Sequence, residues 1–302
     1  MTQTVLILGG KGKIGAHAAQ AFWNAGWQVR IYDRSTDMAQ AAMGAEVIVN
    51  GLNPPNYHNW AKLIPAITAQ VIAAAKASGA TVIIPGNVYN YEGVGGEWSE
   101  HTPQRPHTRK GNIRVQMERD YAASGVQTII LRAGNFIDPD HNRDIMSLFL
   151  MAGIAKGKLT APGPKDVVTT YCYLPDWAQA AVMLAEKRVE LARLEDVPFP
   201  GHAFSIEELR ATVQQALGRP VRLSSFPWWL MAMASPVWEL ARELTEMRYL
   251  WNNSHTMSGT KLARLLPDFR PTDLRAVMLA GLPVDIYPHQ PMRTGGEAVA
   301  TQ

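Results

Sequence analysis

The chain has 302 residues, 47% hydrophobic and 18% charged, with a net charge of +3. That is the balance of a core-forming protein long enough for one large domain or a large and a small one. Its Lys and Arg residues are scattered, which leaves nucleic-acid binding unsupported, and no stretch reaches the ~18 apolar residues of a membrane span. One cysteine, Cys172, excludes an internal disulfide and fits a reducing compartment. With no charged leader ahead of the first strand, a soluble cytoplasmic protein is expected.

Val5-Leu6-Ile7-Leu8 reads as a buried strand. Gly9-Gly10-Lys11-Gly12-Lys13-Ile14-Gly15 follows, with glycine at every third position, and then a helix over about Ile14 to Asn24. Such glycines let the backbone turn tightly against a pyrophosphate, which the helix N-terminus would face. A second strand, Trp27 to Tyr32, ends at Asp33, eighteen residues after Gly15. An acid there accepts hydrogen bonds from a ribose hydroxyl, so this context predicts dinucleotide binding. Gly12-Lys13 is followed by Ile14 rather than Ser or Thr, so nucleoside-triphosphate hydrolysis is not expected.

A short helix, Thr36 to Met43, leads to a strand, Ala45 to Val49, that ends at Asn50-Gly51-Leu52-Asn53-Pro54-Pro55. A helix containing Ile64, Ile67, Val71 and Ile72 stops at Gly79. The strand Thr81 to Ile84 ends in Pro85-Gly86-Asn87-Val88-Tyr89-Asn90-Tyr91, and a polar Gly-rich loop runs to about Thr108. A helix over Gly111 to Ser124 stops at Gly125, and the strand Thr128 to Arg132 leads to Ala133-Gly134-Asn135-Phe136. This alternation predicts a parallel sheet covered on both faces, with ligand atoms beyond the carboxyl ends of its strands. Only eleven residues separate Asp33 from Ala45, too few for the helix, strand and helix of a full half. Either an edge strand is trimmed or the second strand is misplaced.

Beyond residue 140 the alternation loosens. Residues 144–157 read as a helix, Gly157 to Lys165 as turns, and Val167 to Tyr173 as a strand. Leu174-Pro175-Asp176 opens a helix to about Lys187, Ser205 with Glu208 forms a capping box for a helix over 206–217, and Val221 to Ser224 is a short strand. Residues 228–251 hold four of the nine tryptophans and could line a substrate pocket, form a lid or fill a core. The expected division is a dinucleotide-binding domain over 1–140, a smaller and partly interleaved substrate region over 141–288, and a flexible polar tail over 289–302. The eight histidines show no metal-ligand spacing; His17 reads as structural or surface, and no metal is expected.

Taken together, Gly9-x-x-Gly12-x-x-Gly15, Asn53-Pro54-Pro55, Pro85-Gly86-Asn87-Val88-Tyr89, Leu131-Arg132-Ala133-Gly134-Asn135-Phe136 and Tyr173-Leu174-Pro175-Asp176 resemble the extended and atypical short-chain dehydrogenase/reductases. The closest likeness is to the NAD-dependent epimerase/dehydratase-like group, over nearly the whole chain. The resemblance implies an α/β Rossmann-type doubly wound domain, a smaller, mostly helical C-terminal substrate domain, and a site between them. It also implies a candidate homodimer through helices flanking the sheet.

The catalytic signature departs from that pattern. Counting back from Glu118, the resemblance puts Arg114 where a lysine is usual, Lys110 where a tyrosine is usual, and Asn87 at the serine position. The usual tyrosine exchanges the proton, its pKa lowered by the lysine and the cofactor ring. Here Lys110 is the candidate acid/base or orienting group, with Arg114 one turn on against the nicotinamide ribose; the bland reading makes both solvent-facing. Tyr89 and Tyr91 are alternative hydroxyl donors or packing aromatics.

The cofactor contacts expected are Gly9, Lys11, Gly12, Lys13, Ile14, Gly15, Asp33, Arg34, Asn50, Gly51, Leu52, Gly134, Asn135 and Phe136. Asp33 favours NAD, whereas Arg34 and Lys11 could hold the 2′-phosphate of NADP, which is slightly favoured. The expected activity is hydride transfer between a nicotinamide and a small carbonyl, quinone-like or sugar-like substrate. The alternative is a non-catalytic dinucleotide sensor of the NmrA-like kind.

Overall fold

The computed structural model describes residues 2–91, 93, 95–140, 144–283 and 285–287. The expected tail at 289–302 lies outside them. In chain order the first half runs β1 (Thr4–Leu8), α1 (Lys13–Asn24), β2 (Gln28–Ile31), α2 (Met38–Ala42), β3 (Val47–Asn50), α3 (Trp60–Ser78), β4 (Thr81–Gly86), β5 (Gly96–Trp98), α4 (Arg109–Ser124), β6 (Thr128–Arg132) and β7 (Asn135–Ile137). The second half runs β8 (Lys158–Ala161), β9 (Val168–Tyr173), α5 (Leu174–Glu186), β10 (Leu194–Pro198), β11 (His202–Ser205), α6 (Ile206–Leu217), β12 (Arg222–Ser225), α7 (Trp228–Ala234), α8 (Glu239–Glu246), β13 (His255–Met257), α9 (Thr260–Leu265) and α10 (Leu274–Leu279).

Six parallel strands form one sheet in the order β10-β6-β4-β3-β1-β2. Strand period decides which side each residue covers. Val5 and Ile7 pack with Phe22 of α1 and Trp177 of α5, while Leu6 and Leu8 pack with Ile64 and Val71 of α3 and Tyr121 of α4. This is the doubly wound Rossmann-type arrangement expected.

β2 is the sheet edge, so the short spacing after Asp33 reflects a strand that is absent there. The five-residue α2 carries the chain straight back across β1 to β3. The sheet order therefore reverses between β1 and β3, and the crevice at their carboxyl ends is where such folds take ligands.

The expected helical ends recur in the structure. Gly79 and Gly125 end α3 and α4 in the left-handed conformation, and Ser205 with Glu208 closes a reciprocal capping box on α6. Three stretches differ. Residues 146–150 form one wide helical turn and 154–156 a tight one, broken by Gly153 and Gly157, in place of a continuous helix. The turn-rich stretch after Gly157 contains β8, which pairs with β12, and the polar loop before Thr108 contains β5, which pairs with β13. Pairing with strands remote in sequence makes these two elements, and local pattern cannot register it.

α5 and β10 belong to the large sheet's layers although they follow residue 140. A second core, with Ile137, Leu150, Phe204, Leu209 and Val277, holds the smaller part together. α7 contributes no buried residue, and Trp229 and Met233 are 64% and 71% exposed, so α7 is not core, whereas Ala241, Glu243 and Met247 later in the tryptophan-rich stretch are buried. Among the described residues no helix is long and apolar enough to cross a membrane.

Candidate active site

The glycine turn packs backbone against backbone. Gly9 has φ +76°, a conformation open to glycine, and its carbonyl accepts a hydrogen bond from the Gly12 amide at 2.8 Å. A Cβ on Gly15 would overlap the Gly9 carbonyl oxygen and lie 2.7 Å from its carbon, and one on Gly51 would lie 2.8 Å from the Leu8 oxygen. Such closeness lets α1 begin directly over the carboxyl ends of β1 and β3, with its first-turn amides towards the crevice. This cradle fits a pyrophosphate held by main-chain groups.

Around it, Asn50 is buried, its amide nitrogen donating to the Tyr121 hydroxyl at 3.4 Å while its oxygen accepts from the Leu52 amide at 3.1 Å. Lys11, Asp33 and Arg34 are exposed, and Lys13 and Ile14 partly buried. Asp33 accepts from the Ser35 amide at 2.9 Å, and that hydrogen bond holds its carboxyl below the usual range. Gly134, Asn135 and Phe136 are partly buried where β7 leaves the end of β6; Gly134 lies against the Thr170 carbonyl, which leaves no room for a side chain.

The helix-α4 residues are not solvent-facing. Lys110 is fully buried, its ammonium 2.6 Å from Glu243 and 2.6 Å from Glu246 of α8, and it also donates to the Glu243 carbonyl at 2.9 Å. Arg109 pairs with Glu243 as well. Arg114 is half-buried, its guanidinium 4.8 Å over the Trp60 ring and 3.3 Å from the Asn53 amide oxygen. Its Nε is buried with no partner among the described residues, and burial pushes its pKa down.

Asn87 sits at the end of β4; its side-chain oxygen accepts from the Tyr89 amide at 3.0 Å, which turns Tyr89 towards Tyr57, where the two hydroxyls are 3.0 Å apart. Burial raises the pKa of both tyrosines. Tyr91 instead packs at a tilt against Trp98, ring centroids 4.9 Å apart, and lies under Arg132, the packing alternative of its two readings.

Sequence reasoning did not single out Tyr57, Trp60, Arg132, Glu243 or Glu246. Arg132 is buried and meets Glu118 through two hydrogen bonds, at 3.0 and 2.8 Å, and Asp196 at 3.2 and 2.8 Å, while also donating to the Asn87 carbonyl at 2.8 Å. It therefore pins β4, α4, β6 and β10 together beneath the site. Asn56 and Asn59, a residue type tolerant of the left-handed region, were the one available signal for the turn that presents Tyr57.

His17 is buried, its Nε2 3.0 Å from Asp138 and 3.7 Å from the exposed Asp140. The three donor atoms lie within 4.8 Å of one another, a grouping that sequence spacing hides.

α8 also reaches the turn after β3: Glu239 accepts from the Asn59 amide at 3.4 Å and is 2.8 Å from His58 Nδ1. The contacts of Lys110 and His58 thus make α8 a strap over the cluster. Burial acts to raise the Glu246 carboxyl, but hydrogen bonds from the Lys110 side chain and amide outweigh it and leave its pKa low. A depressed carboxylate contributes stability above its ordinary pKa and loses that contribution as pH falls through the lowered value. Tryptophan fluorescence of the 228–251 segment is therefore expected to change as pH drops below the ordinary carboxylate range, and Glu246→Gln should weaken that transition.

No family model matches the chain, and no curated protein is similar in sequence. Solved structures share the fold. A UDP-glucuronic acid 4-epimerase from Bacillus cereus, in complex with UDP-glucuronic acid and NAD, superposes with a TM-score of 0.73 at 16% identity, over 92% of this chain and 98% of that one. A UDP-glucose 4-epimerase from Brucella ovis, in complex with NAD, gives 0.69 at 18%, over 92% and 97%. A dTDP-4-dehydrorhamnose reductase from Clostridium acetobutylicum gives 0.62 at 14%, over 74% and 84%. At these identities the likeness is one of fold: the chain shares a Rossmann-type architecture with these structures.

Proposed function

We propose that this protein is a nicotinamide-dinucleotide-dependent oxidoreductase or epimerase acting on a sugar-like or other small carbonyl substrate. The observation that carries the reading is the glycine cradle of Gly9, Gly12, Gly15 and Gly51, where backbone packing excludes a side chain at Gly15 and Gly51 beside the start of α1. The structural neighbours crystallised with NAD support it. Gly9, Lys11, Gly12, Lys13, Ile14 and Gly15 hold the pyrophosphate end, Asn50, Gly51 and Leu52 the middle, and Gly134, Asn135 and Phe136 the nicotinamide end.

Tyr89 exchanges the proton, with Asn87 fixing its backbone and Arg114 facing the nicotinamide ribose. Lys110 is not the acid/base, because releasing its proton to a substrate would strand the buried Glu243 and the half-buried Glu246 without their cation; its ammonium holds α8 against α4. The slight preference for NADP rests on Arg34 and Lys11 and is opposed by Asp33. Parallel titrations with NADPH and NADH decide it, tighter NADPH binding that Arg34→Ala abolishes being the expected result.

Turnover tests the activity. Cofactor consumption is followed with aldehydes, quinones and nucleotide sugars, and Tyr89→Phe is expected to lower kcat by roughly 100-fold or more. Binding of NADPH with no turnover across the panel would favour the sensor reading.

A further inference from the structure

The turn after β3 is strained in one place. Among the described residues, the three non-glycine positions with positive φ are Asn56 (54°), Tyr57 (61°) and Asn59 (48°). For a residue as bulky as tyrosine that conformation is uncommon and persists only where surrounding contacts impose it. The contacts are these: the Tyr57 ring lies 5.1 Å from Trp60, the Lys110 ammonium sits 5.0 Å over it, and the hydroxyl meets that of Tyr89 at 3.0 Å. The backbone conformation and the packing together aim one hydroxyl at another.

We propose that Tyr57 is a positioning residue that stabilises the phenolate of Tyr89 by donating its hydroxyl hydrogen across their 3.0 Å contact. The proposal deepens the reading above and rests on it for the identity of the reacting group. Tyr89 gives its hydroxyl proton to the oxygen of a carbonyl whose carbon receives hydride from the reduced nicotinamide; in reverse, the phenolate takes the proton of the alcohol as hydride returns. An ionised Tyr89 can only accept a hydrogen bond, and the Tyr57 hydroxyl is a donor 3.0 Å away. A hydrogen bond to the charged form favours that form.

The groups facing Tyr89 come from three elements. Arg114 of α4 favours the phenolate, whereas Glu246 of α8 opposes it, and Tyr249, which follows α8, lies close enough to couple. Burial raises both hydroxyls, and with the two oxygens 3.0 Å apart a phenolate at Tyr89 has the Tyr57 hydroxyl in place to donate to it.

The test uses full-length protein carrying a heavy-carbon label at tyrosine Cζ, whose NMR shift reports ionisation residue by residue, with the Tyr89 signal assigned from Tyr89→Phe. Titrations are run with and without NAD. Tyr57→Phe, which keeps the ring, is expected to raise the pH at which Tyr89 ionises by roughly one unit, a tenfold change in its ionisation constant. Tyr57→Gln, which restores a donor, should return part of that shift. An unchanged Tyr89 titration in both variants, with melting temperatures intact, overturns the proposal. Failure of NAD and NADP to bind the wild type sinks the reading of the site instead, while the titration without nucleotide still decides whether Tyr57 stabilises the phenolate.

Discussion

Arg132→Met is expected to cost about 3–5 kcal/mol of folding stability, the usual penalty for stranding buried charges by removing one partner. Arg132 is wholly buried and serves two carboxylates, Glu118 and Asp196, which come from a helix and a strand on different sides of it. Burial acts to lower the guanidinium pKa, yet the two carboxylates outweigh it and hold the cation firmly charged. Methionine fills most of the volume and none of the charge. Denaturant unfolding of the variant measures the loss, and adding Glu118→Gln should recover part of it by removing one stranded charge. A loss below about 1 kcal/mol would place this network among the weak surface pairs. Because Arg132 also holds the Asn87 carbonyl, the variant should loosen the turn that presents Tyr89.

Gly15→Ala is expected to weaken NADH and NADPH binding by about 100-fold or more, equivalent to about 2.7 kcal/mol. The added Cβ meets the Gly9 carbonyl group, which is backbone and cannot swing aside. The turn must therefore open, moving the first amides of α1 away from the phosphates they would bind. Fluorescence titration of the nucleotide reads this directly. Lys11→Ala serves as the comparison, since that side chain is exposed and its loss leaves the turn intact; it should affect NADPH more than NADH. Equal binding by wild type and Gly15→Ala would mean that the phosphates do not lie at this turn.

These two expectations differ in how far the sequence alone reaches. The glycine turn, the alternation of strands and helices, the capping box at Ser205 and the helix stops at Gly79 and Gly125 depend on residues within a few positions of one another. Periodicity and turn chemistry report such interactions directly. Even the missing edge strand showed as a short count between Asp33 and Ala45. The roles of Lys110 and Arg132 depend on partners that no local pattern connects: Glu243 and Glu246 lie 133 and 136 positions after Lys110, and Asp196 lies 64 after Arg132. A lysine on a helix looks solvated until another element brings carboxylates to it, so Lys110 could be placed on α4 but not in its buried ion cluster. The same holds for Tyr57, whose hydroxyl matters only because β3 and β4 are neighbours and their following turns converge. Local chemistry specified the elements and the glycine turn; which charges are buried, and which hydroxyls meet, was decided by how the strands and α8 came together.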